Sequence, residues 1–188
     1  MRNVLWLHAA LLSIVLLSGC TTGPTLRVDK DPGADMAAYK TFGFFDPLGT
    51  DRTQYSTLVT SWLKQAVQTQ MQRIGYAYNE KDPDLRVNFF LNITQKQEIR
   101  SAPSMGTGFY GYRGRMYGAW GGYPYDIETV TYQEGTLNID LVDAKRKALV
   151  WQGLAEGRVK DESIRNPGPA IDRVVAEIFS NFPNPPAE

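Results

Sequence analysis

Apolar and polar residues alternate with two different periods along this chain. From Thr129 to Arg158 the pattern is that of two strands folded back on one another. Leu137, Ile139 and Leu141 alternate with Asn138, Asp140 and Val142, the period of two expected when one sheet face is buried. After a polar connection at Asp143–Lys147, the pattern resumes with Leu149, Trp151, Gly153, Ala155 and Val159. Upstream, Leu85, Val87, Phe89, Leu91 and Ile93 alternate in the same way, and Tyr39–Phe45 reads as a shorter strand. Between these two lies a helical period: Tyr55, Leu58, Val59, Trp62, Leu63, Ala66, Val67, Met71 and Ile74 share one face. Asp51 with Gln54 suggests a capping box at its start, and Gly75 a terminator. Asn166-Pro167 opens a last helix whose stripe is Ile171, Val174, Val175, Ile178, Phe179 and Phe182. The predicted order is strand, helix, strand, strand, strand, helix. It gives an α+β fold, a two-layer sandwich with a four-stranded, mostly antiparallel sheet and two helices on one face. Val130 and Tyr132 are even-numbered while Leu137, Ile139 and Leu141 are odd, so a bulge is expected at Glu134-Gly135.

One stretch has neither period. Residues 100–126 hold seven glycines and seven aromatics, Phe109, Tyr110, Tyr112, Tyr117, Trp120, Tyr123 and Tyr125, together with Arg100, Arg113 and Arg115. A connection of this length is either functional or loose. Aromatic faces at this density suit stacking on sugar rings or seating at a lipid headgroup layer. The same composition also suits an insertion whose tyrosines pack on one another.

The first twenty residues supply an address. Arg2 precedes an apolar run, Val4–Leu17, too short to span a bilayer comfortably, which ends in Leu17-Ser18-Gly19-Cys20. That ending resembles the bacterial lipobox, in which the cysteine thiol receives diacylglycerol. Residues 1–19 are thus expected to be a lipoprotein signal peptide, 20–27 a lipidated tether, 28–183 a single domain, and 184–188 a flexible tail. Several acyl chains on Cys20 would give lasting anchorage. By resemblance to Gram-negative sorting rules, Thr21 after the cysteine favours the outer membrane, facing the periplasm.

Composition then removes whole classes of chemistry. The chain has one cysteine, one histidine and a formal net charge of zero. Cys20 and His8 both fall in the first twenty residues. The expected mature body therefore has no imidazole or thiol for a zinc site, a Ser-His-Asp triad or a thiol nucleophile. Balanced charge gives no footprint for nucleic acid, and no glycine loop in a strand–turn–helix context implies a nucleotide cofactor.

Several blocks, read in order, resemble a known family. They are Asp29-Lys30-Asp31-Pro32-Gly33-Ala34-Asp35 with Tyr39-Lys40-Thr41-Phe42, Ile74-Gly75-Tyr76 with Pro83-Asp84-Leu85, Gly135–Asp143, and Val150-Trp151-Gln152-Gly153. Together they resemble the envelope lipoproteins grouped as domain of unknown function 4136. The resemblance implies a lipid-anchored periplasmic domain and carries over no catalytic residue.

Three functional readings follow. The first is a non-enzymatic binding or scaffolding module of the envelope, meeting a protein or peptidoglycan partner through the Gly/aromatic segment. The second is a glycan-cleaving enzyme using Asp126, Glu128 and Glu134 as its carboxylates. The third is self-association through an edge strand or a patch of Phe90, Val142 and Leu154.

Overall fold

Residues 23–51, 57–103 and 125–183 are described in the computed structural model. The expected signal peptide with Cys20, residues 52–56 with Gln54 and Tyr55, residues 104–124 and the expected tail lie outside them. In chain order the elements are β1 (Thr25–Lys30), β2 (Thr41–Phe44), α1 (Leu58–Arg73), β3 (Ala77–Tyr78), β4 (Leu85–Pro103), β5 (Tyr125–Asp143), β6 (Ala148–Arg158), α2 (Asp161–Arg165) and α3 (Pro167–Phe179), with a 3-10 turn at Met36–Ala38. The sheet order is β1-β6-β5-β4-β2-β3. β2 runs parallel to β3 and β4, and the other pairs are antiparallel.

Among the described residues, the expected four-stranded sheet with two helices is therefore corrected to a six-stranded mixed sheet with three α-helices. The additions were hidden for physical reasons. β1 is an edge strand whose residues reach only partial burial, so its alternation is faint, and it straddles the expected boundary between the tether and the domain. β3 has two residues, too few to show a period. α2 has five residues and buries none of them.

α1 begins later than expected. Thr57 is its N-cap, accepting from the Thr60 amide, whereas Asp51 accepts from the Leu48 amide in the preceding loop. Its buried face is Leu63, Ala66, Val67 and Met71, but Leu58 is 72% exposed, outside the apolar stripe that its spacing suggested. Gly75 ends the helix with φ of 97°, a left-handed conformation that a side chain resists.

The core lies between one sheet face and the helices α1 and α3. Leu85, Val87, Phe89, Ile139, Leu141 and Trp151 are fully buried there against Ile178 and Phe179. Trp151 packs with its ring centroid 5.4 Å from Phe179 and 5.1 Å from Phe182. Gly153 is what admits this packing. A Cβ on it would lie 2.6 Å from Trp151 Cη2 and closer still to Ile178 Cγ2. On the opposite sheet face, Asp140 accepts from Asn138 and Gln152, a polar, part-buried arrangement.

No bulge occurs at Glu134-Gly135. The β4–β5 register is continuous from Leu85↔Asp143 to Pro103↔Tyr125. The register shift lies instead between β5 and β6 at Leu141/Val142. Both Val150 and Trp151 are buried there while Leu149 is 46% exposed. The parity argument assumed a buried face along all of β5. Before about residue 134 that strand has left the helix layer, and no face is selected for burial.

Candidate functional site

Both ends of the sheet carry clustered polar groups, and they differ in kind. At the end where the β5–β6 turn lies, Asp143 is 7% exposed. Its Oδ1 accepts from the backbone amides of Lys145 and Arg146 at 2.9 and 2.8 Å. Its Oδ2 accepts from Tyr39 Oη at 2.9 Å and Arg146 Nε at 2.7 Å, and Arg146 Nη2 donates to Tyr39 Oη at 2.8 Å. Burial alone would raise the Asp143 pKa. The hydrogen bonds from the Arg146 amide and guanidinium, Tyr39 and Lys145 outweigh it and hold the carboxyl at about 2. Burial raises the Tyr39 phenol, with Arg146 working against it and Asp143 with it.

Nearby, Asp84 Oδ2 accepts from the amides of Lys40 and Thr41 and from Thr41 Oγ1, tying the start of β2 to the start of β4. Burial works against its charge, but these bonds keep the carboxyl below its usual range. Tyr–Asp–Arg proximity resembles acid–base machinery, yet every oxygen is committed to closing a turn or joining segments. Tyr39, Lys40, Thr41, Asp84 and Asp143 fall in the sequence blocks quoted above, with Lys145 and Arg146 just past the third, so those blocks mark a structural lock.

The other end is an arm. β4 and β5 continue as a two-stranded ribbon well past the last β6 pairing, Glu134↔Arg158. Its even-numbered face carries charge. Lys96 pairs with Glu134, and Arg158 Nη2 lies 2.8 Å from Glu98 Oε2 and its guanidinium 3.9 Å over the Tyr132 ring. Hydrogen bonds from Arg100 and Arg158 keep Glu98 below the usual carboxylate range, and the bond to Glu134 raises Lys96. Such exposed pairs order the arm's base and contribute little stability. The odd-numbered face carries Gln95, Gln97, Ile99, Ile127, Thr129 and Thr131, all exposed and none charged. Ile99 is 72% exposed and Ile127 is 73% exposed.

The site residues expected from sequence divide accordingly. Cys20, Phe109, Tyr110, Tyr112, Arg113, Arg115, Tyr117, Trp120 and Tyr123 lie outside the described residues. Tyr125 opens β5, its backbone paired with Pro103, so strand replaces part of the expected loop at both ends. Asp126 opens into β5 beside Tyr125, its side chain outside the described residues; Glu128 and Glu134 share one face of β5, but six residue steps, about 20 Å along a strand, separate them. Glu134 is also engaged by Lys96. The Glu128 and Glu134 carboxylates are not brought together. Phe90 and Leu154 both flank Asn138, while Val142 lies two same-face positions away beside Arg86, so they form no continuous apolar patch. Sequence reasoning missed the arm's two-faced character. Its signal was present in the strict segregation of charge by parity over 95–100 and 127–132.

Among the described residues no group of three His, Cys, Asp or Glu is placed to hold a metal ion. Nor is any helix among them long and apolar enough to cross a membrane.

A family model described as a domain of unknown function, DUF4136, matches residues 26–184. No curated protein matches the chain. Among solved structures, a PDZ domain protein from Parabacteroides distasonis superposes with a TM-score of 0.54 at 12% identity, over 93% of this chain and 39% of that one. The chain thus spans well under half of that protein, and at this identity the likeness concerns the fold. The PelC dodecamer from Paraburkholderia phytofirmans superposes with a TM-score of 0.48 at 10% identity, over 88% of this chain and 99% of that one.

Proposed function

We propose, on the premise that the chain belongs to the DUF4136 family, that it is a non-enzymatic contact module of the bacterial envelope. In this reading it is held by acyl chains on Cys20, at the outer membrane and facing the periplasm. The observation that carries it is the β4–β5 arm. A ribbon exposed on both faces and extended beyond the rest of the sheet adds little to the core, so its length is explained by what it touches. The Leu17-Ser18-Gly19-Cys20 sequence supports the anchorage. The commitment of Asp84 and Asp143 to structural bonds, and of Glu134 to Lys96, supports a role in contact over one in bond-making.

Cell fractionation tests the anchor. Cys20→Ser is expected to move the protein from the membrane to the soluble fraction with its circular dichroism spectrum unchanged. Retention of the variant in the membrane would overturn the anchoring. Photo-crosslinking in intact cells from Thr131 should capture an envelope component, whereas the same probe at Lys147, at the far end of the sheet, should not.

A further inference from the structure

The direction in which the chain enters the fold bears on what the arm meets. Thr25 pairs with Glu156, Glu156 with Thr136, and Thr136 with Asn92. Because β1 is antiparallel to β6, the chain upstream of Thr25 runs toward the arm's end of the sheet. Pro24 already lies beside Gly157, its Cα 3.1 Å from where a Cβ on that glycine would stand. The anchor and the arm therefore leave the domain on the same side.

Their reaches can be compared. Five residues from Thr25 back to Cys20 span at most about 17 Å when fully extended. From the level of Thr136 to Tyr125 the arm runs eleven residues, about 37 Å at strand rise. Two steps of sheet twist separate β1 from β5, about 45° in all, which leaves about 26 Å along the β1 direction. By the same projection Ile99, opposite Thr129, comes level with the acylated residue at about 17 Å, and Ile127 passes it by about 4 Å, within the headgroup layer of a bilayer at about 5–7 Å per leaflet.

Resting on the lipid anchorage proposed above, we infer that the outer part of the arm is a second membrane contact, seating its uncharged face, with Ile99 and Ile127, in the headgroup layer. The distribution of charge selects that face. Lys96, Glu98, Arg100 and Glu128 all project from the other side of the ribbon, where they remain in water, and burying a charge in lipid is costly. The seated face itself carries no charge, so the contact needs no anionic lipid. Two tethers on one rigid body act together, so the arm strengthens the hold of the acyl chains and fixes the domain's orientation.

The acylated protein in phosphatidylcholine vesicles tests this. The thiol of Cys20 is occupied by lipid, so Ile99→Cys, Ile127→Cys or Lys145→Cys each offers one site for an environment-sensitive fluorophore. Labels at 99 and 127 should shift to the blue and be quenched by nitroxide-bearing headgroups, equally with and without anionic lipid. The label at 145 should behave as in water. Because both arm positions are exposed, thermal melts should match the unlabelled protein. Water-like labels at 99 and 127 on protein that still floats with vesicles would refute the arm contact and leave the anchorage standing. Failure to float would sink both. A response seen only with anionic lipid, or only after adding envelope proteins, would assign the arm a different partner and overturn the proposal.

Discussion

Replacing Gly153 with alanine adds one methyl group at the most crowded point between the sheet and α3. That Cβ would stand 2.6 Å from Trp151 Cη2 and nearer still to Ile178 Cγ2. Ordinary carbon contacts are about 3.5–4.0 Å, so relief requires a movement of at least about 1 Å. Neither neighbour can yield cheaply, since Trp151 and Ile178 are fully buried and Trp151 is wedged against Phe179 and Phe182. The expected cost is at the upper end of overpacking, about 3 kcal/mol. For a domain of this size that corresponds to a fall in Tm of about 6–12 °C. Thermal and urea unfolding of the mature protein, followed by circular dichroism, measure it. A double-mutant cycle with Ile178→Ala removes Cγ2 and should show a favourable coupling, the pair costing less than the sum of the single changes. A Tm within about 1 °C of wild type for Gly153→Ala would refute the crowding account, as would strict additivity in the cycle.

Two further predictions concern polar groups. The folded-state pKa of Asp143 lies near 2, below its ordinary value of 3.8, so its contribution is present above about pH 4 and lost as pH falls toward 2. Its upper bound is about 2 kcal/mol, and Asp143→Asn should lower the urea midpoint at pH 6 far more than at pH 2.5. An equal loss at both pH values would contradict the charged lock. Tyr76 is buried, its hydroxyl donates to the Met36 carbonyl at 2.9 Å, and burial, aided by Tyr39 and Asp35, pushes its pKa well above the usual phenol range. Tyr76→Phe should destabilise by about 1 kcal/mol, and a gain in urea midpoint would count against that bond.

The sequence could be read where one face meets the core along a whole element. Val87 and Phe89 on β4, Ile139 and Leu141 on β5, and Val175, Ile178 and Phe179 on α3 all lie buried as their periods require. It was silent where burial is slight, which is why β1, β3 and α2 added strands and a helix to the expected architecture. It misled where a rule from buried sheet was carried into solvent. Val130 and Tyr132 lie on the same face as Asn138 and Asp140, and only the assumption of burial made that parity look anomalous. The candidate site was half legible. Glu134 stood out as a carboxylate, but its pairing with Lys96 depends on a cross-strand register that one strand cannot disclose. The lock at Asp143 joins residues 104 positions apart in Tyr39 and Asp143, a proximity with no local signature.

β1 also bears mechanical load. Its six residues pair antiparallel with β6 from Thr25↔Glu156 to Lys30↔Trp151, and ladder bonds of this kind lie across the strand direction. A pull on the upstream chain, directed along β1, strains the whole ladder sideways at once, and its bonds share the load. Drag on the domain is thus met in shear, the direction in which a strand cannot be peeled off pair by pair.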